Sequence, residues 1–495
     1  MREIHQLSAT ELAAAIARRE ISSRAALDHF LARIEAIGKP INAVVALDID
    51  TARARADAAD EAIAAGQNWG PLHGVPMTVK DTYEAAGMPT VVGEPKLKDY
   101  RSISDAVAIS RLRAAGAVIF GKSNTPRLAQ DVQTYNPIYG TTNNPWNEKR
   151  TSGGSSGGAA AGLAAGFTPL ELGSDLAGSI RTPSSWCGVY GHKPSYGIIP
   201  MRGHIPGPPG TRGEPDLCVA GPMARHPADL SLALEILVGP DDIEASVWRA
   251  QLPAPRATTL ADFKVAYLFD HPFCPIAKAV KTQLEDALEA ARHAGAQVTR
   301  LDELPGEFEK SYETYDRLLN GLIGASIPEK IYKKTKRGAK MLGTFGKTDV
   351  GTTGGFARNA TASHRDWVQA DEARHKLRAL WHELFADYDV VLLPSVCVPA
   401  IEHNHDGSPL TRKIDVDGSE HSYTNLFRWI APATVAGLPA TSAPVGLTDD
   451  GLPVGLQIVA DYGQDLTSIA FAQHLAAAGV QAPACPYASR DTAAG

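Results

Sequence analysis

The sequence predicts an α/β protein built on a single large mixed β-sheet surrounded by helices. Three observations carry that prediction. Short apolar runs of strand type alternate with longer runs at helical spacing, as in a sheet with helices packed on its faces. The strand-type runs recur from residue 74 to residue 459, which favours one continuous sheet over several separate ones. Segments 441–445 and 454–459 flank Asp449-Asp450-Gly451 as a hairpin.

The elements follow in order. Residues 8–37 read as two helices: Ser8-Ala9-Thr10-Glu11 fits a capping box, and Leu12, Ile16, Leu27, Phe30, Leu31 and Ile34 recur at helical spacing. With the alanine-rich helix 52–65 they form a helical lead-in over residues 1–65. Gly74-Val75-Pro76-Met77-Thr78-Val79-Lys80-Asp81 is a short apolar strand whose end delivers a lysine and an aspartate. A helix over 106–115, a buried-type strand over 117–120 and a polar, turn-rich stretch over 121–151 come next. Then follow Gly153-Gly154-Ser155-Ser156-Gly157-Gly158, an alanine-rich helix, a strand over 168–172, and Gly173-Ser174-Asp175-Leu176-Ala177-Gly178-Ser179-Ile180-Arg181. A strand at 265–268 and a helix at 276–294 precede residues 304–386, which read as a largely helical variable insert or cap, and 390–394 is another buried strand. The expected organisation is one domain over residues 1–495.

Composition narrows the function. The chain has 495 residues, 44% hydrophobic and 21% charged, which supports a large core. A formal charge of -7 argues against a nucleic-acid-binding surface, which needs a concentrated basic face. Five cysteines without CxxC spacing read as reduced thiols. The N-terminal stretch lacks the basic and apolar runs of a secretory signal, and no run approaches the ~20 apolar residues of a membrane span. The expectation is a soluble cytoplasmic protein with no membrane or nucleic-acid partner, and a homodimer stays open.

Several motifs point elsewhere. Gly116 to Ser123 matches the spacing of a phosphate loop, yet its four middle residues are themselves the strand and Pro126 follows Lys122 closely, so no open cradle forms. Gly153-Gly154-Ser155-Ser156-Gly157 fits a nucleophile elbow, but residues 143–150 before it are polar and turn-forming rather than strand-like. A flexible Gly/Ser linker is the bland alternative, and it rarely sits between a turn and a packed helix. His403, His405 and Asp406 lie beside Gly407 and Pro409 and read as a solvated turn rather than metal ligands. Lys333 to Arg337 reads as an exposed helix end. No metal or other cofactor is expected.

The two Gly/Ser-rich stretches, 153–158 and 173–181, resemble the signature of the amidase signature family. The similarity extends to the lysine strand at 74–81, to Gly121-Lys122-Ser123-Asn124-Thr125-Pro126, and to Gly437-Leu438-Pro439-Ala440 with residues 451–457. It covers nearly the whole chain, least so over 304–386. The resemblance implies the amidase signature fold and a catalytic triad of Lys80, Ser155 in a cis peptide, and Ser179. It places oxyanion donors on the backbone N–H groups of Leu176, Ala177, Gly178 and Ser179, and a pocket-lining role on the segment containing Gln130 and Asp131. Ala177 stands where many relatives carry glycine, which narrows the acyl site without removing an N–H.

The chemistry fits those residue types. A serine hydroxyl needs a base to take its proton as it attacks an amide carbonyl, and a lysine serves only when neutral, which burial favours. Asp81 is expected to point away from Lys80, because successive strand residues face opposite sides. Asp175 and Arg181 are expected to form a structural ion pair, and Cys187 to be packing. The expected activity is hydrolysis of a small or aryl amide through an acyl-enzyme on Ser179, with Ser155 as relay and Lys80 as base. The alternative is the amidase subunit of a tRNA-dependent amidotransferase, whose corresponding stretches differ from Thr125-Pro126-Arg127-Leu128-Ala129 and Leu176-Ala177-Gly178.

Overall fold

The computed structural model describes residues 3–205, 208–344 and 349–490. Residues 1–2 and 491–495, at the ends of the expected domain, and 345–348, within the expected insert, lie outside the described residues. Among the described residues, eleven strands form the large sheet. In chain order they are β1 (Val44–Leu47), β2 (Pro76–Lys80), β3 (Val118–Ser123), β4 (Leu170–Asp175), β5 (Tyr190–Lys193), β6 (Val219–Ala224), β7 (Lys264–Tyr267), β8 (Gln297–Arg300), β9 (Val390–Pro394), β10 (Ala440–Leu447) and β11 (Pro453–Val459). They lie side by side as β1-β3-β2-β4-β6-β5-β10-β11-β9-β7-β8. The sheet is mixed, as expected: β2 runs parallel to β3 and β4, and β7 parallel to β8 and β9. The stretch β4-β6-β5-β10-β11-β9 is antiparallel.

Every residue of β2, β3, β4, β6, β9 and β11 is buried. Strands covered on both faces read as near-continuous apolar runs rather than alternating ones, which is why all of these but β6 leave a trace in the sequence. Lys80, Lys122 and Glu171 are buried polar exceptions.

Strands β5, β6 and β8 have no counterpart among the expected elements, and two further parts differ from expectation. Strand β1 has no signal in the sequence; its four residues are half-buried or exposed, and it pairs with β3 through a bulge, so it carries no clean period. The stretch 121–151 holds two small ribbons, Tyr135–Asn136 with Gly140–Thr141 and Asn143–Asn144 with Asn147–Thr151. Side-chain amides rather than apolar contacts shape them: Asn136 accepts the N–H groups of Ile138 and Tyr139, and Asn144 donates to Trp186 O at 2.8 Å. Hydrophobic periodicity is blind to such turns.

The lead-in helices are Ala9–Ala17, Ser23–Ile37 and Ile49–Ala64. The first is closed by the reciprocal box of Ser8 and Glu11. The described residues of 304–386 contain four helices: Phe308–Ser326, Glu329–Thr344, Thr353–Ala360 and His364–Leu384. Tyr312, Tyr315 and Leu319 of the first pack in one apolar cluster with Leu377, Ile430 and Val435. Among the described residues no helix is long and apolar enough to cross a membrane.

Candidate active site

Lys80 ends β2, flanked by β3 and β4, and its side chain is fully buried. Its Nζ donates to Ser155 Oγ at 2.7 Å and to Ser174 Oγ at 3.0 Å. Burial lowers its pKa from 10.5 to about 7, against the opposing pull of Cys218, Asp175 and Glu171. Asp81 turns away, as the strand alternation requires. Its carboxylate accepts Val92 N–H at 2.8 Å and sits 3.8 Å from Lys122 Nζ. That amine is buried and also donates to Tyr83 O and Thr90 Oγ1, so the phosphate-loop look-alike is a core strand.

Ser155 follows a cis Gly154–Ser155 peptide bond. The loop opens the helix Gly157–Ala164, whose residues are all buried. Glycine is required in its first turn, because a Cβ on Gly158 would stand 2.3 Å from Asn124 N. The surroundings of Ser155 differ from expectation in one respect. Residues 147–151 do form a strand ahead of it, but in a two-stranded ribbon outside the large sheet, so no sheet strand feeds an elbow there.

Ser179 lies two residues before the helix Arg181–Cys187 and is 9% exposed, against 2% for Ser155. The two serine loops are tied where Ser156 N–H donates to Ser179 O at 3.1 Å. Asp175 organises the turn: its carboxylate accepts the N–H groups of Gly178 at 2.9 Å and Ile180 at 3.1 Å. Arg181 grips the same carboxylate at 2.8 Å and reaches Gln457 Oε1 at 2.7 Å, Thr434 Oγ1 at 2.7 Å and Ile430 O at 2.9 Å. Burial alone would raise the Asp175 carboxyl; Arg181 outweighs it and holds it at about 2. The expected structural ion pair is present.

This geometry corrects the donor set. Gly178 N–H is already committed to Asp175, so it is not free for an oxyanion. The amides of Leu176, Ala177 and Ser179 have no protein acceptor among the described residues. Gly178 remains indispensable for the turn, with φ at 86° and a would-be Cβ 2.9 Å from Thr182 Oγ1.

The two expected pocket-lining residues differ in their surroundings. Gln130 is exposed, and the Asp131 carboxylate is consumed by Arg412 at 2.6 Å and Tyr423 OH at 2.8 Å. Cys187 is buried and its thiol points at Ser152 O. The His405 ring stacks on Tyr135 with centroids 3.8 Å apart.

Two residues near Lys80 escape a reading of the sequence. Ser174 is the second acceptor of the Lys80 amine. Glu171 accepts from Thr78 Oγ1 at 2.5 Å, and burial lifts its pKa to about 8. The signal for Glu171 is a lone acid between leucines in a buried-type strand.

A buried lysine hydrogen-bonded to one serine, with a second serine on a turn whose amides at Leu176, Ala177 and Ser179 lack a protein acceptor among the described residues, has the parts needed for attack on a carbonyl. The chain belongs to the amidase signature family, whose profile, described as Amidase, matches residues 25–468. It is an enzyme that hydrolyses amide carbon–nitrogen bonds. It is 31% identical over 486 residues to an acylamidase of Rhodococcus erythropolis, covering 93% of each chain. It is 32% identical over 505 residues to the A component of the glutamyl-tRNA(Gln) amidotransferase of Psychrobacter cryohalolentis, covering 96% of this chain and 97% of that one. Among solved structures, a bacterial aryl acylamidase of the amidase signature family matches with a TM-score of 0.81 at 25% identity over 99% of both chains.

Proposed function

We propose that the enzyme hydrolyses a small or aryl amide through an acyl-enzyme on Ser179, releasing ammonia or an amine. The observation that carries this reading is the 2.7 Å contact between Lys80 Nζ and Ser155 Oγ in a fully buried setting. Neutral Lys80 takes a proton from Ser155, which takes one from Ser179 as its Oγ attacks the carbonyl. The oxyanion meets the N–H groups of Leu176, Ala177 and Ser179, which need no reorganisation to receive it. The proton then returns through Ser155 to the leaving nitrogen, and water repeats the sequence on the acyl-enzyme.

The acyl group is assigned to the side of Leu176 and Ala177. Leu176 and Ala177 pack against the cluster of Tyr312, Tyr315, Leu319 and Ile430, with Phe427 beside it. Such walls favour an aryl or aliphatic acyl group over a charged one. The decisive experiment is a panel of primary, aryl and alkyl amides assayed on the purified chain, with mass spectrometry of quenched enzyme. An acyl mass on Ser179, absent from Ser179→Ala, is expected; turnover by Ser179→Ala at the parent rate refutes the assignment.

The amidotransferase relative supports a second reading, that the chain works within a complex. The same panel separates the two, because hydrolysis of amides by the isolated chain favours the stand-alone enzyme.

A further inference from the structure

Segment 131–134 forms one wall of the loop that carries Ser155. A Cβ added to Gly154 would lie 2.7 Å from Asp131 O and 2.8 Å from Val132 C, so the two backbones touch. Thr134 Oγ1 donates to Gly153 O at 2.8 Å, and a Cβ on Gly157 would stand 2.3 Å from Thr134 Oγ1. The wall contacts the loop before, at and after the Gly154–Ser155 peptide.

What holds the wall is an unusual polar knot. Arg412, 5% exposed, donates from Nη1 to Asp131 Oδ2 at 2.6 Å, from Nη2 to Tyr135 OH at 2.8 Å, and from Nε to Asp406 O at 2.9 Å. Tyr423 OH donates to Asp131 Oδ1 at 2.8 Å. The guanidinium lies 5.5 Å from the Tyr423 ring centroid and 5.9 Å from that of Tyr135. Gln133 adds a reciprocal pair with Asn404, donating at 2.6 Å and accepting at 2.9 Å. A planar, multiply bonded guanidinium fixes orientation as well as charge, which a lysine cannot reproduce.

We infer that Arg412 is a positioning residue for Ser155, acting through Asp131 and the backbone of 131–134 on the Gly154–Ser155 peptide. The inference rests on the proposed relay role of Ser155. Arg412 makes no hydrogen bond with Lys80 or Ser179 among the described residues and acts on the loop whose Ser155 hydroxyl meets the Lys80 amine. Asp131 thereby serves catalysis without meeting the substrate.

The test measures inactivation by an alkyl fluorophosphonate, resolved into a maximal rate and a half-saturating concentration, for the parent, Arg412→Gln, Arg412→Lys, Tyr423→Phe and Ser155→Ala. A displacement on the order of 1 Å in a catalytic group is worth up to ~10²-fold, so Arg412→Gln is expected to slow the maximal rate roughly tenfold to a hundredfold. Its half-saturating concentration should stay within about twofold, since no probe contact is lost. Arg412→Lys should recover part of the rate, because charge without the planar fork restores part of the knot. An Arg412→Gln rate within threefold of the parent overturns the inference, as does a loss confined to the half-saturating concentration. If Arg412→Gln does not fold, Tyr423→Phe decides: slowing supports the inference, the parent rate overturns it. Ser155→Ala separates the two levels, because its inactivation at the parent rate would sink the relay itself.

Discussion

Lys80 offers the sharpest test, because its role demands a neutral amine near neutral pH. Its pKa falls from 10.5 to about 7 with burial. At ~1.4 kcal/mol for each tenfold change, the folded protein gives up roughly 5 kcal/mol to keep this group where its charge is disfavoured. The unfolded chain binds the proton below about 10.5 and the folded one only below about 7. The Lys80 contribution to stability is therefore least unfavourable above the unfolded value and worsens as pH drops between the two. Catalysis moves in the same direction. The neutral fraction rises roughly tenfold between pH 6 and pH 8 for a pKa of about 7, so single-turnover acylation should rise by that factor and level off. Lys193, also buried, titrates at about 7 as well, so the wild-type profile alone does not assign the group. Lys80→Ala should remove both the titration and most of the rate, leaving Lys193 in place. Lys80→Arg should not rescue, because a guanidinium stays protonated. The assay is quenched-flow acylation from pH 5.5 to 9 for the parent and both variants. A fully active Lys80→Arg enzyme would falsify the general-base role.

Ser155→Ala should lower kcat by ~10²–10⁴-fold with an unchanged fold; circular dichroism and single-turnover kinetics check it, and a rate within a few fold of the parent removes the relay. Gly178→Ala places a Cβ against Thr182 Oγ1 and Ile430 at a φ of 86°, so a stability loss of ~1–2 kcal/mol and a lower kcat are expected from denaturant unfolding and kinetics. Asp175→Asn breaks a buried pair and should destabilise by ~3–5 kcal/mol at pH 7. Because that carboxyl is held at about 2 against 3.8 when free, its stabilisation is present above the free value and fades as pH falls through both. Comparing parent and variant unfolding at pH 7 and near pH 2 should therefore show the gap closing.

The parts of this enzyme that are legible in its sequence are those where composition carries the constraint. A strand buried on both faces must be apolar, so a lysine at the end of Pro76-Met77-Thr78-Val79-Lys80 stands out, and the structure buries it completely. A helix pressed against the backbone of Asn124 must begin with glycine, so the Gly/Ser run before Ala159 announces close packing rather than a linker. What stays hidden depends on where polar groups find partners, which no period records. The place of Gly178 on the turn before Ser179 suggests an oxyanion donor; only the folded geometry shows Asp175 taking its N–H. The resemblance gives the segment of Asp131 a pocket-lining role. The partner of that acid, Arg412, is 281 residues away and invisible to any local pattern. The two departures share a cause. Near an active site a polar group is as readily committed to holding the machinery as to touching the substrate, and the distinction is set by long-range hydrogen bonds. The same reasoning gives Asp175 and Asp131 matching roles, one acid held by Arg181 and fixing the turn of Ser179 through its backbone N–H groups, the other held by Arg412 on the wall of Ser155. On the proposed roles, each serine thus sits on or beside backbone held by an aspartate–arginine pair, and the precision of the site would reside in those pairs as much as in Lys80 itself.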